Sequence, residues 1–358
     1  MHITEISSAK IYCRFIKKIY KQMPFFKDNK TALIKMLCNK NGVFYKNTKQ
    51  KMLAVTENNE TLCQAVFIRH KNYADVLMVS FFEALADNLP AVKMLMRHAA
   101  EYAARLGCKK IEVSLDGHCN NNLGFLADNF DSYPAFGSSY NPPYYNDYFK
   151  RLHFNEIELV SFWDYLQNVP KIDNFPRKDD ITLEYADFSP QNFTKTMKRF
   201  TDLNNTVFAS HPYYFIRSYE EDAELFKSFS LLLKSHNLIF AVQNGKDIGF
   251  MLWYKDFNAF VPPGKAAGVT TFIKSRLLGL KTPQIKIAEI GILTQAEGTT
   301  AILKLFREGL GVLSREKYSP STKLISSWIL NSNVKSKRIS KYFLKKKYKK
   351  MLVYEKNI

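Results

Sequence analysis

The chain of 358 residues lacks the signatures of several common protein classes. Its five cysteines, Cys13, Cys38, Cys63, Cys108 and Cys119, are odd in number and scattered, with no CxxC pair. This argues against a disulfide framework and a zinc cluster and suits a reducing compartment; no metal is expected. There is no HExxH, no Walker glycine-lysine loop and no GxSxG, so metalloprotease, P-loop and serine-hydrolase readings have no support. His118 and Cys119 are adjacent, but read on a strand their side chains point apart, so a Cys–His nucleophile is not expected. No apolar run reaches the ~20 residues needed to span a bilayer. Lys10, Arg14, Lys17 and Lys18 interrupt the N-terminal apolar runs, which leaves no signal-peptide pattern. Acidic residues are scarce beside basic ones, 33 against 52, for a formal net charge of +19. That surplus favours anionic partners, and the expected location is cytoplasmic, soluble or peripheral at the inner face of the membrane.

What is present is enough apolar and aromatic residue for a real core, in a chain long enough for two domains. Hydrophobic periodicity divides it into two series of the same order. In the first, residues 10–23 and 29–38 read as short amphipathic helices. Lys51–Thr56 and Leu62–His70 alternate as a hairpin around Asn58-Asn59, and Asp75–Leu85 reads as a buried strand. Asn88–Leu106 is a helix with Val92, Leu95, Met96, Ala99, Ala103 and Leu106 on one face. Lys110–Leu115, Tyr144–Leu152 and Glu156–Tyr165 read as strand, helix and strand. Residues 167–180, with two prolines and many charges, read as a linker.

In the second series, Pro190–Asp202 and Tyr219–His236 read as helices, and Leu238–Gln243 and Ile248–Tyr254 as a hairpin about Asn244-Gly245. Lys286–Leu293 is a buried strand, Thr299–Tyr318 a helix and Leu324–Leu330 a strand. Val334–Lys347 reads as a helix and Met351–Glu355 as the last strand. The expectation is an α/β fold with a mixed sheet, two tandem copies of one domain, at 1–166 and 181–358.

Chemistry concentrates in the second copy, where the strand over Lys286–Leu293 runs through the small-residue turn Gln295-Ala296-Glu297-Gly298-Thr299-Thr300 into a helix. Free N–H groups and the helix dipole at such a start suit a phosphate. In the first copy the same place holds Ala86-Asp87-Asn88-Leu89-Pro90, without the glycine pattern and with a carboxylate that repels phosphate. One working site per chain is therefore expected.

The order of elements resembles the GCN5-related N-acetyltransferase (GNAT) fold. In that family the turn before the central helix follows Arg/Gln-x-x-Gly-x-Gly/Ala, and Gln295, Gly298 and Thr300 fall on those positions, Thr300 departing from the small residue. The family's Asn after the next strand is matched by Asn333, and its helical Tyr by Tyr342 or Tyr348; its Leu-Gly-Phe is missing in the second half and replaced by Leu152-His153-Phe154 in the first. Phe81-Phe82-Glu83-Ala84-Leu85 and Asn122-Leu123-Gly124-Phe125-Leu126 resemble, more narrowly, uncharacterised bacterial tandem proteins of the superfamily. The resemblance implies acetyl-CoA or a longer acyl-CoA as co-substrate, held by Ile292, Leu293, Gln295, Ala296, Glu297, Gly298, Thr299, Thr300 and Asn333. It implies transfer of the acyl group to an amine by direct attack.

For that chemistry Glu289 is the candidate base, given burial that raises its pKa, and Tyr342 or Tyr348 the acid. Glu83, its equivalent in the first half, His211 and Tyr213 are candidates to line the acceptor site. The acceptor is expected to be a small-molecule or lipid-like amine. The basic tail Lys335–Lys350 offers contact with acyl-CoA phosphates or an anionic membrane; no recognised nucleic-acid module is present, and no specific nucleic acid is expected. The alternative is a catalytically inactive GNAT-like scaffold that binds a ligand or partner.

Overall fold

The computed structural model describes residues 1–172 and 179–358. The linker expected at 167–180 falls partly on 173–178, outside the described residues.

In the first half, strands β1 (His2–Glu5), β2 (Thr48–Glu57), β3 (Glu60–His70), β4 (Val76–Ala84), β5 (Lys110–Val113), β6 (Phe125–Leu126) and β7 (Asn155–Tyr165) alternate with helices. These are α1 (Ala9–Ile19), α2 (Lys30–Leu37), α3 (Val43–Lys46), α4 (Leu89–Arg105) and α5 (Tyr145–Arg151). The second half has β8 (Thr182–Tyr185), β9 (Leu238–Gln243), β10 (Lys246–Lys255), β11 (Gln284–Ile292), β12 (Lys323–Ser326), β13 (Ile329–Leu330) and β14 (Lys346–Asn357). Its helices are α6 (Phe193–Val207), α7 (Tyr219–Phe229), α8 (Val269–Phe272), α9 (Ala301–Arg315) and α10 (Val334–Phe343). The expected elements are present in both series, with β1, α3, β6, β8 and α8 in addition; the helix read over Tyr219–His236 ends at Phe229, and the strand read over Leu324–Leu330 is split into β12 and β13.

One sheet runs through both halves in the order β1-β2-β3-β4-β5-β14-β7-β12-β11-β10-β9-β8. β4 pairs β5 and β11 pairs β12 in parallel, each pair joined by its central helix, α4 or α9, as a strand–helix–strand crossover requires. The last strand of each half crosses over. β14 lies between β5 and β7, while β7 also pairs β12. Each half thus completes the sheet of the other.

Apolar periodicity decides the layers. α4 buries Val92, Leu95, Met96, Ala99 and Ala103 on one face of the first-half sheet, and α9 buries Leu305, Phe306, Val312 and Leu313 on the second. On the opposite faces lie α1 and α2, and α6 and α7. Tyr213, Tyr214 and Phe215 of the second half insert into the core beneath α1 and α2. The helix read over Val334–Lys347 ends at Phe343, and β14 begins at Lys346, so Tyr342 is helical and Tyr348 is on a strand.

Candidate active site

The two parallel strand pairs part in the same way, and their openings have different fates. β11 is matched by β12 only from Gln284 to Ile287 and from there to Ile292 is paired on its β10 edge alone. Opposite β10, Leu252 faces Glu289 and Trp253 faces Ile287, so Ala288 is an extra residue. This bulge puts Lys286 and Glu289, three apart in sequence, on one face of the strand. Leu293 N–H donates to Ile248 O on β10 at 2.8 Å, so by alternation the Ile292 N–H points to the edge that β12 has left. Gly291 is required by close approach: a Cβ there would lie 2.4 Å from Val207 Cγ1 on α6.

β4 carries the matching bulge. Phe81 and Phe82 together oppose Ala65, between the pairs Val66–Ser80 and Gln64–Glu83. Here the opening is filled, and every residue of β4 is buried. Phe81 has φ 52° and donates its N–H to Asp116 Oδ1 at 2.6 Å. Glu83 is closed in by Lys30 Nζ at 2.6 Å and the Tyr145 hydroxyl at 2.7 Å. The first half thus keeps the strand geometry and has no open edge.

Beside the β11 opening lies a cavity of about 1720 Å³ with walls from both halves. The first half supplies Asn120–Leu123, Phe136–Tyr140 and part of α2; the second supplies Ile287–Ile292, Phe208, His211, Tyr214, Glu297–Thr299 and one side of α10. Glu289 projects into it. Burial pushes its carboxyl up to about 7, against the pull of the Arg217 charge and a hydrogen bond from Asn204. Asn204 Nδ2 donates to Glu289 Oε2 at 2.5 Å, while its Oδ1 accepts from the Tyr214 hydroxyl at 2.8 Å, which fixes the amide orientation. Arg217 is buried against Asp222 at 3.0 Å. Lys286 is buried and bonds Phe136 O, Gly137 O and Ser138 Oγ at 3.1, 2.9 and 2.9 Å; desolvation lowers its pKa to about 8. A carboxyl near neutrality in a cavity, next to an open strand edge, can accept a proton at physiological pH.

The turn before α9 divides. Glu297, Gly298 and Thr299 line the cavity with Ile292, whereas Leu293, Gln295, Ala296 and Thr300 do not. Gly298 has φ 82°, and a Cβ there would meet nothing within 4 Å, so the turn backbone is approachable. Asp179 occupies part of the helix start. Its Oδ2 accepts from Thr300 N–H at 3.3 Å and Thr300 Oγ1 at 2.5 Å, and its Oδ1 from Lys304 Nζ at 2.5 Å.

Asn333 lines the cavity and caps α10, its Oδ1 accepting from Ser336 N–H at 3.0 Å. Tyr342 lines the cavity and is exposed; Tyr348 lines it from β14 with its hydroxyl buried. His211 lines the cavity and packs on Trp328 at 5.5 Å. Tyr213 and Glu83 do not line it: Tyr213 is buried at φ 67° and reaches Glu355 Oε2 at 3.4 Å. The acidic start of α7 serves structure. Glu221 forms a capping box with Ser218 and accepts from Asn47 at 2.7 Å, tying α7 to the first half.

Two readings need correction. His118 and Cys119 sit in a turn, not a strand, with Cys119 Sγ 3.8 Å from His118 Nδ1. Burial raises the thiol pKa and lowers the imidazole pKa, so the pair is held neutral and no thiolate forms. Of the basic tail expected to offer contact with phosphates or a membrane, Lys349 is not available: it is buried, donating to Asn129 O at 2.5 Å and Ser132 O at 3.1 Å. Asn204 and Arg217 had no sequence signal; Lys286 had one, a charge within an apolar strand. Among the described residues no His/Cys/Asp/Glu group could hold a metal, and no helix is long and apolar enough to cross a membrane.

No protein-family model and no curated protein matches the chain. Solved structures do match along its length. A tandem GNAT protein from the clavulanic acid biosynthesis pathway, solved without acetyl-CoA, is 10% identical with TM-score 0.54, covering 99% of this chain and 98% of its own. A GCN5-related N-acetyltransferase from Sphaerobacter thermophilus is 11% identical at 0.54, covering 99% and 95%. One from Kribbella flavida is 8% identical at 0.52, covering 99% and 71%. The chain therefore has the GNAT fold, built twice in tandem.

Proposed function

We propose that the chain is an acyl-CoA-dependent N-acyltransferase with one working site, in the second of two domain units at 1–166 and 181–358. The observation that carries this reading is Glu289, a carboxyl pushed up to about 7 in a cavity beside the open edge of a bulged strand.

In this reading the thioester carbonyl of acetyl-CoA or a longer acyl-CoA accepts a hydrogen bond from the Ile292 N–H. Glu297, Gly298 and Thr299 lie along the phosphates, and basic residues of α10 such as Lys337, Arg338 and Lys341 add attraction. The acceptor amine attacks the carbonyl carbon. A C–N bond forms, the C–S bond breaks, and the amine proton passes to Glu289, directly or through water. Asn204 holds the carboxylate toward the cavity. Tyr342, on the family's helical position, returns a proton to the leaving thiolate. Tyr348 and His211 shape the wall, and Glu83 and Tyr213 act only through the packing behind it. The cavity volume and its apolar lining suit an amine or acyl group larger than acetyl.

Calorimetry with acetyl-CoA and a long-chain acyl-CoA tests this. One of them binds, and Gly298→Asp weakens it at least tenfold; no heat with either overturns the reading. A second reading, an inactive ligand- or partner-binding scaffold, draws support from Asp179, whose carboxylate stands against the α9 N-terminus where phosphate would lie. Binding without thiol release across a panel of amines would favour it.

A further inference from the structure

Residues 262–281 border the cavity and carry exposed apolar side chains. Ala266, Gly268, Val269 and Phe272 line the cavity wall, while Val269, Leu277 and Leu278 are 75%, 69% and 63% exposed, and Ile273 and Leu280 are exposed as well. Both ends are tied down: Asp28 N–H donates to Lys265 O at 2.8 Å, and Lys255 Nζ to Leu280 O at 3.1 Å. Those bonds anchor the segment at Lys265 and Leu280, and its apolar side chains are exposed between them. Five large apolar side chains in one short segment exceed the scattered exposure of an ordinary surface.

Charge says what covers them. The segment carries Lys265, Lys274, Arg276 and Lys281 and no acidic residue. The charges of Arg276, Lys281 and Lys234 act together on Lys255 beneath it, and the acid among them, Glu316, is engaged by Lys234 and His236. A second copy of a chain with formal charge +19 would bring like charges together on this face. An apolar patch ringed by cations fits the interface of an anionic bilayer, where acyl chains take the leucines and headgroups the basic residues.

We propose that residues 262–281 dock the protein on an acidic phospholipid surface, with Leu277 and Leu278 entering the interface and the cavity mouth at Ala266–Phe272 beside it. Amphiphilic molecules held in the bilayer then reach the cavity without crossing water. This surface is independent of the acyl-transfer reading: vesicle binding and acyl-CoA binding are separate measurements, and either can fail alone.

Co-sedimentation of the full chain with vesicles of phosphatidylglycerol and phosphatidylcholine, or of phosphatidylcholine alone, tests it. Binding is expected to the anionic vesicles and to fall with salt. Leu277→Glu with Leu278→Glu should reduce it by roughly tenfold per leucine, the scale set by burying a leucine side chain. Both residues are exposed, and an unchanged melting temperature verifies folding. A Trp at position 277 should shift its emission to the blue on anionic vesicles only. Lys337, Arg338 and Lys341 changed to Gln should leave most binding intact. No binding to anionic vesicles, unaltered binding by the double Glu variant, or a dimer in light scattering that the same variant dissolves would each overturn the proposal.

Discussion

Glu289→Gln makes the electrostatics of the site measurable without knowing the acceptor. The carboxyl is raised from 4.5 to about 7 because desolvation outweighs Arg217 and the Asn204 hydrogen bond. A raised carboxyl binds its proton more tightly in the folded state than in the unfolded one. Stability is therefore intact below the unfolded value and declines as pH climbs from about 4.5 to about 7. At about 1.4 kcal/mol per unit, the loss comes to about 3 kcal/mol. Gln resembles the protonated acid and can still accept from Asn204 Nδ2. The variant escapes the decline and loses the base. Unfolding free energies of the two proteins, measured in urea at several pH values, cancel every other titration in their difference. The difference should grow in favour of Glu289→Gln by about 3 kcal/mol between about pH 4 and about pH 8, and level off above that. A difference that stays flat with pH would show that the carboxyl titrates normally, and would remove the physical basis for calling it the base.

Asn204→Ala removes a hydrogen bond that lowers the Glu289 pKa, so the midpoint of the same pH-dependent difference should move upward; an unchanged midpoint refutes the positioning role of Asn204. Asp179→Ala should cost about 1 kcal/mol by loss of its helix-capping bonds, and strengthen acyl-CoA binding severalfold in calorimetry by freeing the Thr300 N–H. Weaker binding would show that phosphate does not use that donor. Lys30→Met leaves the Glu83 carboxylate buried without its cation and should cost roughly 3 kcal/mol at neutral pH. That loss should recover in acid as Glu83 takes a proton; a loss that does not change with pH would show that the pair with Glu83 does not carry it. Gly298→Ala meets no atom and should cost only about 1 kcal/mol for its positive φ, whereas Gly291→Ala collides with Val207 and should cost more, both read from denaturation midpoints.

The repeated order of elements was legible because buried faces leave a period in the sequence. α4 and α9 show it over four turns, and both hairpins carry Asn-containing turns at positive φ. β1 and β8 escaped: four residues each, mostly exposed, they have no apolar face to display. The exchange of β7 and β14 was invisible for a different reason. Alternation specifies which face of a strand is buried, not which strand lies beside it. Within the site, Glu289 stood out as a charge in an apolar run. Asn204 is 85 residues away and meets it only through the packing of α6 on β11. The bulge at Ala288, which turns Lys286 and Glu289 to the same side, exists only in the pairing with β10.

The strand exchange explains why a half without an open site is still part of one. β14 supplies the neighbour of both β5 and β7, so the first-half sheet between them is built from the end of the second half. In return β7 closes the edge of β12, next to the place where β11 and β12 part. The loops following β5 and β6 form one wall of the cavity, and the second of them accepts the three hydrogen bonds of Lys286. Asp116, Lys30 and Tyr145 fill the β4 opening in the same half. The two halves therefore share one site: the second supplies Glu289 with Asn204 and Arg217, and the first supplies the wall that holds Lys286 beside it.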